Sequence, residues 1–381
     1  MPAEVRSDER LGIKAAIVHD WFQGFHGSER TVAAMLDLFH QEPDVYTFSA
    51  AHELLPKRLS DAIKHESRLT RLPFVRQRGH HPGRWRWLLP YMPRYFESLD
   101  LQGYDLVISS SHACAINASP RPDAIHVCYC YTPMRYLWLP DTDRGRVGGT
   151  KGRILNDLRG SLRRRDRRAA QRPDAYIAIS SAVAERIRTF YERDSQVIYP
   201  PVAVEEFTPH RRTDPRSFLW VHRLVPYKHP HEVIEAFRGL PQYRLTMVGV
   251  GPLEDSLRAA LPANVELLGW LPRDELRHLY QKAAGFIHIG EEDFGISMVE
   301  ALAAGTPVVA LKRGGATDIV KDRDTGVLVH DPHDITELRR AVQTVATREW
   351  DLSALRERAE EFSGEAFRGR LGAALRSLGA R

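Results

Sequence analysis

Short apolar runs alternate with helix-length segments along the whole chain, and the alternation stops and restarts once, at Val197-Ile198-Tyr199-Pro200-Pro201-Val202. A proline pair cannot continue a helix and makes a semi-rigid spacer. Ahead of it, Ile13–Asp20 is an apolar run followed by a loop containing Gly24 and Gly27. Next comes Glu29–Phe39, whose apolar residues Val32, Met35, Leu36 and Phe39 recur at helical spacing. Strand, glycine loop and helix open a βαβ unit. Val45–Phe48, Leu106–Ser109, Ile125–Cys130 and Ala175–Ile179 read as further strands. Beyond the prolines, Phe218–Val221, Leu245–Val248, Val265–Leu268, Gly285–Ile289, Pro307–Ala310 and Gly326–Val329 read as strands. Ile234–Phe237, Leu253–Leu261, Asp274–Ala284 and Ser297–Ala304 read as helices between them. Runs that are apolar throughout mark strands buried on both faces, as in a parallel sheet covered by helices. The pattern predicts an α/β chain of two successive βαβ domains. Ligands of such sheets bind beyond the carboxyl ends of the strands, which predicts a site in the cleft that the two domains face.

Composition removes several classes. A chain of 381 residues with 43% hydrophobic and 27% charged residues is an ordinary globular protein, long enough for two cores. Three cysteines cannot build a disulfide framework, and Cys114, Cys128 and Cys130 lack the spacing of a zinc site, so a reducing compartment is expected. No run approaches the roughly 18 apolar residues of a membrane span, and the charged Met1–Lys14 is not expected to be a secretory leader. The net charge is only +5, but the arginine excess is concentrated between Arg68 and Arg172.

Two segments carry chemistry. In Gly290–Gly305 a strand ends, an acidic glycine-containing turn follows, and a helix starts near Ser297. Glu292 lies in the turn and Glu300 about a turn inside the helix. The backbone N–H groups from Phe294 to Met298 then stand at a helix N-terminus, where an anion or hydroxyl is bound. The carboxylates can accept bonds from sugar diols, or they can simply complement the helix dipole. The second segment is Val221–Lys228, where Arg223 and Lys228 share a loop after the first strand of the second half. A guanidinium fork and an ammonium point charge suit a diphosphate. On a loop, both are expected to face solvent.

Taken in order, the entry loop GFHGSERTV, the Arg223…Lys228 pair, the Glu292…Glu300 pair and the strand ALAAGTPVVA resemble a GT-B glycosyltransferase of family 4, retaining and nucleotide-sugar-dependent. That resemblance implies a GT-B fold of two Rossmann-like βαβ domains, 1–196 and 203–365, with 197–202 as hinge and 366–381 as a C-terminal helix packing back on the first domain. It implies that Arg223 and Lys228 neutralise the leaving diphosphate. Glu292 and the N–H groups of Phe294, Gly295 and Ile296 would hold the hexose, Glu300 the ribose, and Gly27 would let backbone approach the phosphates. Gly314, Gly315 and Asp318 match the family's GG-x-x-E loop, with Asp in place of Glu, and read as structural. VISSSHACA, HVCYCYTPMRYLW and VIYPPV look most like bacterial mannosyltransferases of polysaccharide and O-antigen assembly, implying GDP-mannose as donor and a saccharide or polyprenyl-linked acceptor. That subgroup places His between the Cys and the Thr-Pro; here Tyr131 stands there, and His112 is the substitute on the hexose or acceptor side. A phenol can donate the same hydrogen bond but does not titrate near neutrality. Retention then implies front-face attack, since Asp20 carries no mark of a nucleophile. No Asp-x-Asp is placed to hold a metal beside the diphosphate, so no metal or other cofactor is expected.

Arg68–Tyr95 interleaves Arg76, Arg78, Arg84 and Arg86 with Trp85, Trp87, Leu88, Leu89, Tyr91, Met92 and Tyr95, and Arg163–Arg168 adds a second basic run. Cations with insertable aromatics suit an anionic bilayer. The expectation is therefore a cytoplasmic protein, peripheral at the inner face of the membrane, with no nucleic-acid partner. A non-catalytic sugar-nucleotide-binding protein, an inverting enzyme of the same fold and a basic nucleic-acid-binding protein remain the alternatives.

Overall fold

The computed structural model describes residues 10–71, 88–139, 149–212 and 214–380, with backbone alone for 149–158. The chain divides into two compact units, Met1–Pro201 with Phe367–Arg381, and Val202–Ala366. The first is built on a parallel sheet of β1 (Ala15–His19), β2 (Asp44–Thr47), β3 (Ile63–Glu66), β4 (Leu106–Ser111), β5 (Ile125–Cys130), β6 (Ala175–Ala178) and β7 (Gln196–Val197), in the order β3-β2-β1-β4-β5-β6-β7. The second is built on β8 (Ser217–Val221), β9 (Arg244–Val248), β10 (Val265–Leu267), β11 (Gly285–His288), β12 (Val308–Leu311) and β13 (Gly326–Val329), in the order β10-β9-β8-β11-β12-β13. Among the described residues every strand pairing in both sheets is parallel. Each unit is thus Rossmann-like, with the strand order reversing between β1 and β4 and between β8 and β11.

Burial follows position in the sheet. The inner strands β1, β4, β11 and β12 are buried at every residue, whereas the edge strands β3 and β7 are not. Helices on both faces cover the inner strands and leave the edges partly wet. The end of the chain closes the first unit: Phe367 sets its ring edge against Tyr129 at 5.8 Å, and Arg368 reaches Asp37 at 3.7 Å.

The basic segments look different in three dimensions. Residues 72–87, with Trp85, Trp87, Arg76, Arg78, Arg84 and Arg86, lie outside the described residues. Of the rest, Met92 is fully buried, Leu88, Leu89 and Tyr95 pack on the first unit's core, and the Tyr95 hydroxyl donates to the Thr47 carbonyl at 2.7 Å. These four serve the core, because the helix Met92–Glu97 that carries two of them turns its apolar side toward the sheet; only Tyr91 is exposed. In the helix Gly149–Ala169, Arg163 donates to the Leu137 carbonyl and lies over the Trp138 ring, Arg165 pairs with Glu97 and Arg167 with Glu192. Three of the five arginines of that run are structural.

The same helix carries a buried acid. Asp166 accepts from Trp138 Nε1 at 2.6 Å and from the Tyr191 hydroxyl at 3.0 Å. Burial raises its pKa from 3.8 to about 6, against those two bonds, which lower it. A raised folded-state value means stability is full below pH 3.8 and is lost as pH rises toward about 6. Asp166→Asn keeps an oxygen for both donors and does not titrate. The variant is expected to be more stable than wild type by on the order of 2–3 kcal/mol at about pH 8, with the difference vanishing near pH 4. Urea denaturation at the two pH values measures this, and a pH-independent difference would contradict it.

Candidate active site

In the second unit the two predicted segments leave neighbouring strands. Leu224, after β8, is held by its N–H to the Val250 carbonyl at 3.1 Å, and a single 3₁₀ turn, Pro226–Lys228, follows. After β11 comes the acidic turn, and the helix Ile296–Ala303 begins one residue beyond Gly295. Because β8 and β11 flank the point where strand order reverses, their loops diverge and leave room between them. Lys228 and Glu292 meet there as an ion pair. Lys228 is buried, at 3% exposure of its side chain, while Glu292 keeps 34%. The expectation that both cations face solvent fails for Lys228, since the acidic turn covers it. Arg223 is exposed and, among the described residues, has no ion pair.

Gly295 has φ +108, and a Cβ there would lie 2.2 Å from Met298 Cε. Only glycine turns the chain into the helix so tightly. In the first turn the Met298 N–H donates to the Gly295 carbonyl at 3.0 Å, while those of Ile296 and Ser297 precede any intrahelical carbonyl and point out of the helix end. Phe294 is buried against Phe362, ring centroids 5.6 Å apart. Glu300, nearly buried, accepts from Arg273 Nη1 at 3.1 Å, and Arg273 also pairs with Glu206. The Gly314-Gly315 loop props the acidic turn: Gly315 N–H donates to the Glu292 carbonyl at 2.9 Å, and a Cβ on Gly315 would meet the Phe294 oxygen at 2.3 Å. That contact gives the pair a packing role.

Two histidines form the floor. His288 Nδ1 lies 3.4 Å from Ser297 Oγ, and its ring is 4.5 Å from that of His222. Burial, then the nearby Lys228 charge, holds His288 well below its ordinary pKa. Burial, His288 and Lys228 do the same to His222. Both imidazoles are neutral at pH 7, and Lys228 supplies the positive charge beside them.

The first unit places its predicted residues at the matching reversal, between β1 and β4. Gly27 is the first residue of the helix Gly27–Leu36, and the Glu29 carboxylate accepts the His26 N–H at 3.2 Å, closing the entry loop. Asp20 is fully buried and accepts four backbone N–H groups, from His112, Ala113, Cys114 and Ala115, at 2.6–2.9 Å. Tyr131 donates its proton to the Ser28 carbonyl at 3.1 Å and lies 3.0 Å from Ser110 Oγ, which in turn lies 3.0 Å from His19 Nδ1. A phenol has one proton to give, and here the Ser28 carbonyl of the entry loop takes it. His112 keeps 23% of its side chain exposed, its ring edge 4.4 Å from Trp21 and its Nδ1 3.5 Å from Asp20. All three cysteines are buried and unpaired.

Sequence reasoning missed Asp20 as the clasp of the loop after β4, the two floor histidines, and Trp270. Trp270 is 72% exposed, with exposed Leu268 beside it and exposed Val250 on the next loop. These loops follow β10 and β9 and are tied by Gly249 N–H to the Gly269 carbonyl at 2.7 Å. An apolar residue directly after a strand was the available signal.

The comparisons with known proteins divide at the same place as the structure. The family described as "Glycosyltransferase Family 4" matches residues 25–206, and that described as "Glycosyl transferases group 1" matches residues 204–362. A D-inositol 3-phosphate glycosyltransferase of Mycobacterium sp. (strain KMS) is 32% identical over 201 residues, 46% of this chain and 45% of that protein. One of Nocardioides sp. (strain ATCC BAA-499 / JS614) is 28% identical over 233 residues, 50% of this chain and 51% of that protein. The chain thus spans about half the length of the curated relatives it matches. Among solved structures, the lipopolysaccharide outer core galactosyltransferase WaaB covers 96% of this chain and 99% of its own, with TM-score 0.68 and 17% identity. Anabaena Alr3699/HepE in complex with UDP and glucose covers 96% and 100%, with TM-score 0.66 and 18% identity. At such identities the likeness is one of fold.

Proposed function

This chain belongs to the group 1, family 4 glycosyltransferases of GT-B fold, and from that premise we propose that it moves a hexose, with retention, from a nucleoside diphosphate sugar to a saccharide or lipid-linked saccharide. The observation that carries this reading is the meeting of Lys228 with Glu292 beside a helix N-terminus, where the sheet order reverses. These two charges satisfy each other. An arriving diphosphate competes for Lys228, recruits Arg223, and releases the Glu292 carboxylate to accept bonds from hexose hydroxyls. The N–H groups of Phe294, Gly295 and Ile296 complete the hexose cradle. Glu300 accepts the ribose diol while Arg273 holds it in place. The helix of Arg273 begins just after Trp270, which offers a flat apolar surface to the base. Gly27 is assigned to the phosphates and His112 to the hexose or acceptor side, as the family resemblance implies.

In the transfer, the bond from the anomeric carbon to the diphosphate oxygen breaks with its electrons going to that oxygen. The acceptor hydroxyl attacks the same face, and its proton passes to the leaving phosphate. Lys228 and Arg223 stabilise the charge that grows there. Asp20 supplies no nucleophile in this scheme, since both its oxygens are committed to backbone N–H groups. No metal enters it. The donor we propose is GDP-mannose, on the motifs of the first unit; UDP-glucose is the rival donor. A cytoplasmic, membrane-peripheral setting for cell-surface polysaccharide synthesis rests on residues 72–87. Among the described residues no helix is long and apolar enough to cross a membrane. Release of nucleoside diphosphate from each donor, with the product anomer read by NMR, tests the reading. An inverted product or the absence of turnover with any nucleotide sugar would overturn it.

The two glutamates are expected to fail differently. Glu300→Gln weakens a contact present in ground and transition states alike and raises KM. Glu292→Gln lowers kcat more, because the hexose changes shape at the reacting carbon. Equal losses of nucleoside diphosphate affinity in both variants would contradict the division of roles.

A further inference from the structure

We propose that His229, Glu232 and His333 form a binding site for one divalent transition-metal ion, zinc being the best match, which clamps the turn bearing Lys228. The three side chains come from two segments far apart in sequence, and their ligand atoms all lie within 4.8 Å of one another. Glu232 Oε1 is 3.4 Å from His229 Nδ1 and 2.9 Å from His333 Nδ1. Zinc bound to nitrogen and oxygen at about 2.0–2.1 Å in a tetrahedron sets its ligands roughly 3.3 Å apart. The two Glu232 spacings therefore need shifts of only a few tenths of an ångström, and the two imidazoles, whose ligand atoms lie within 4.8 Å of each other, close the third side.

Both imidazoles are carried on hydrogen-bonded turns. His229 takes a left-handed conformation, φ 54, with its N–H on the Pro226 carbonyl at 2.9 Å and its own carbonyl accepting Val233 N–H at 3.2 Å. His333 N–H donates to Asp331 Oδ1 at 2.9 Å, and its carbonyl accepts Ile335 N–H at 3.0 Å. A site held by such supports loses little freedom on binding. The charge also fits. Glu232 is 21% exposed, and among the described residues its only ion-pair partners are the two histidines. Two imidazoles with a carboxylate are a zinc donor set. His333, at 66% exposure, leaves the ion an approach and a fourth position for water.

His229 follows Lys228 directly, so an ion here would tie the end of the donor loop to the turn after β13. It is structural in this assignment, and no step of the transfer runs through it. Untagged, chelator-treated full-length protein is titrated with Zn²⁺ by calorimetry, and with Co²⁺ as an optical probe of tetrahedral nitrogen and oxygen ligation. One equivalent is expected to bind and to raise Tm. His333→Ala and Glu232→Gln should each weaken binding at least about tenfold, roughly 1.4 kcal/mol. His333 is exposed, so its variant keeps the fold. His231→Ala, on the neighbouring exposed residue, should bind like wild type. Absence of stoichiometric binding, or binding indifferent to His333→Ala and Glu232→Gln, would overturn the proposal and leave two imidazole–carboxylate contacts.

Discussion

Lys228→Ala is expected to lower kcat/KM on the order of 10²–10³-fold, the loss seen when one donor aimed at developing charge is removed. Arg223→Ala should cost about the same, yet the two differ in stability. Arg223 is exposed and, among the described residues, has no ion pair, so its removal should shift stability within about 0.5 kcal/mol. Lys228 is buried against Glu292. Breaking a buried pair from one side costs about 3–5 kcal/mol, but Glu292 retains water on a third of its surface, so about 1–2 kcal/mol is expected here. Steady-state kinetics and urea denaturation on both variants separate the effects. Near-normal turnover in either would remove that residue from the mechanism.

The largest stability effect is expected at Asp20. Its two oxygens accept four N–H groups of the segment after β4. Asp20→Asn keeps one oxygen and turns an amide donor toward N–H groups that are donors themselves. Bonds to a charged acceptor are worth about 1.5–3 kcal/mol each, and a loss of about 3–5 kcal/mol is expected. The denaturant midpoint should fall with the slope unchanged. A loss below about 1 kcal/mol would show that the loop holds its shape without the clasp.

The order of β and α segments, the restart after Pro200-Pro201 and the Glu292…Glu300 and Arg223…Lys228 spacings were all legible in the chain, because each is a local pattern. Buried inner strands must be apolar along their length, and glycine must stand where φ reaches +108 at Gly295. The missed strands were edge strands: β3 reads IKHE and β7 only QV, half exposed and too short to show a period. Partner choice was not legible. Lys228 finds Glu292 64 residues on, counted from their numbers, and Tyr131 gives its proton to Ser28, 103 residues away. Asp20 reaches the loop 92–95 residues ahead. Met92 and Tyr95, which read in sequence as insertable residues beside arginines, belong to the core because the helix that carries them faces the sheet. A charge or ring declares its chemistry in the sequence; whether that chemistry is left for a ligand depends on which distant group the sheet order brings against it.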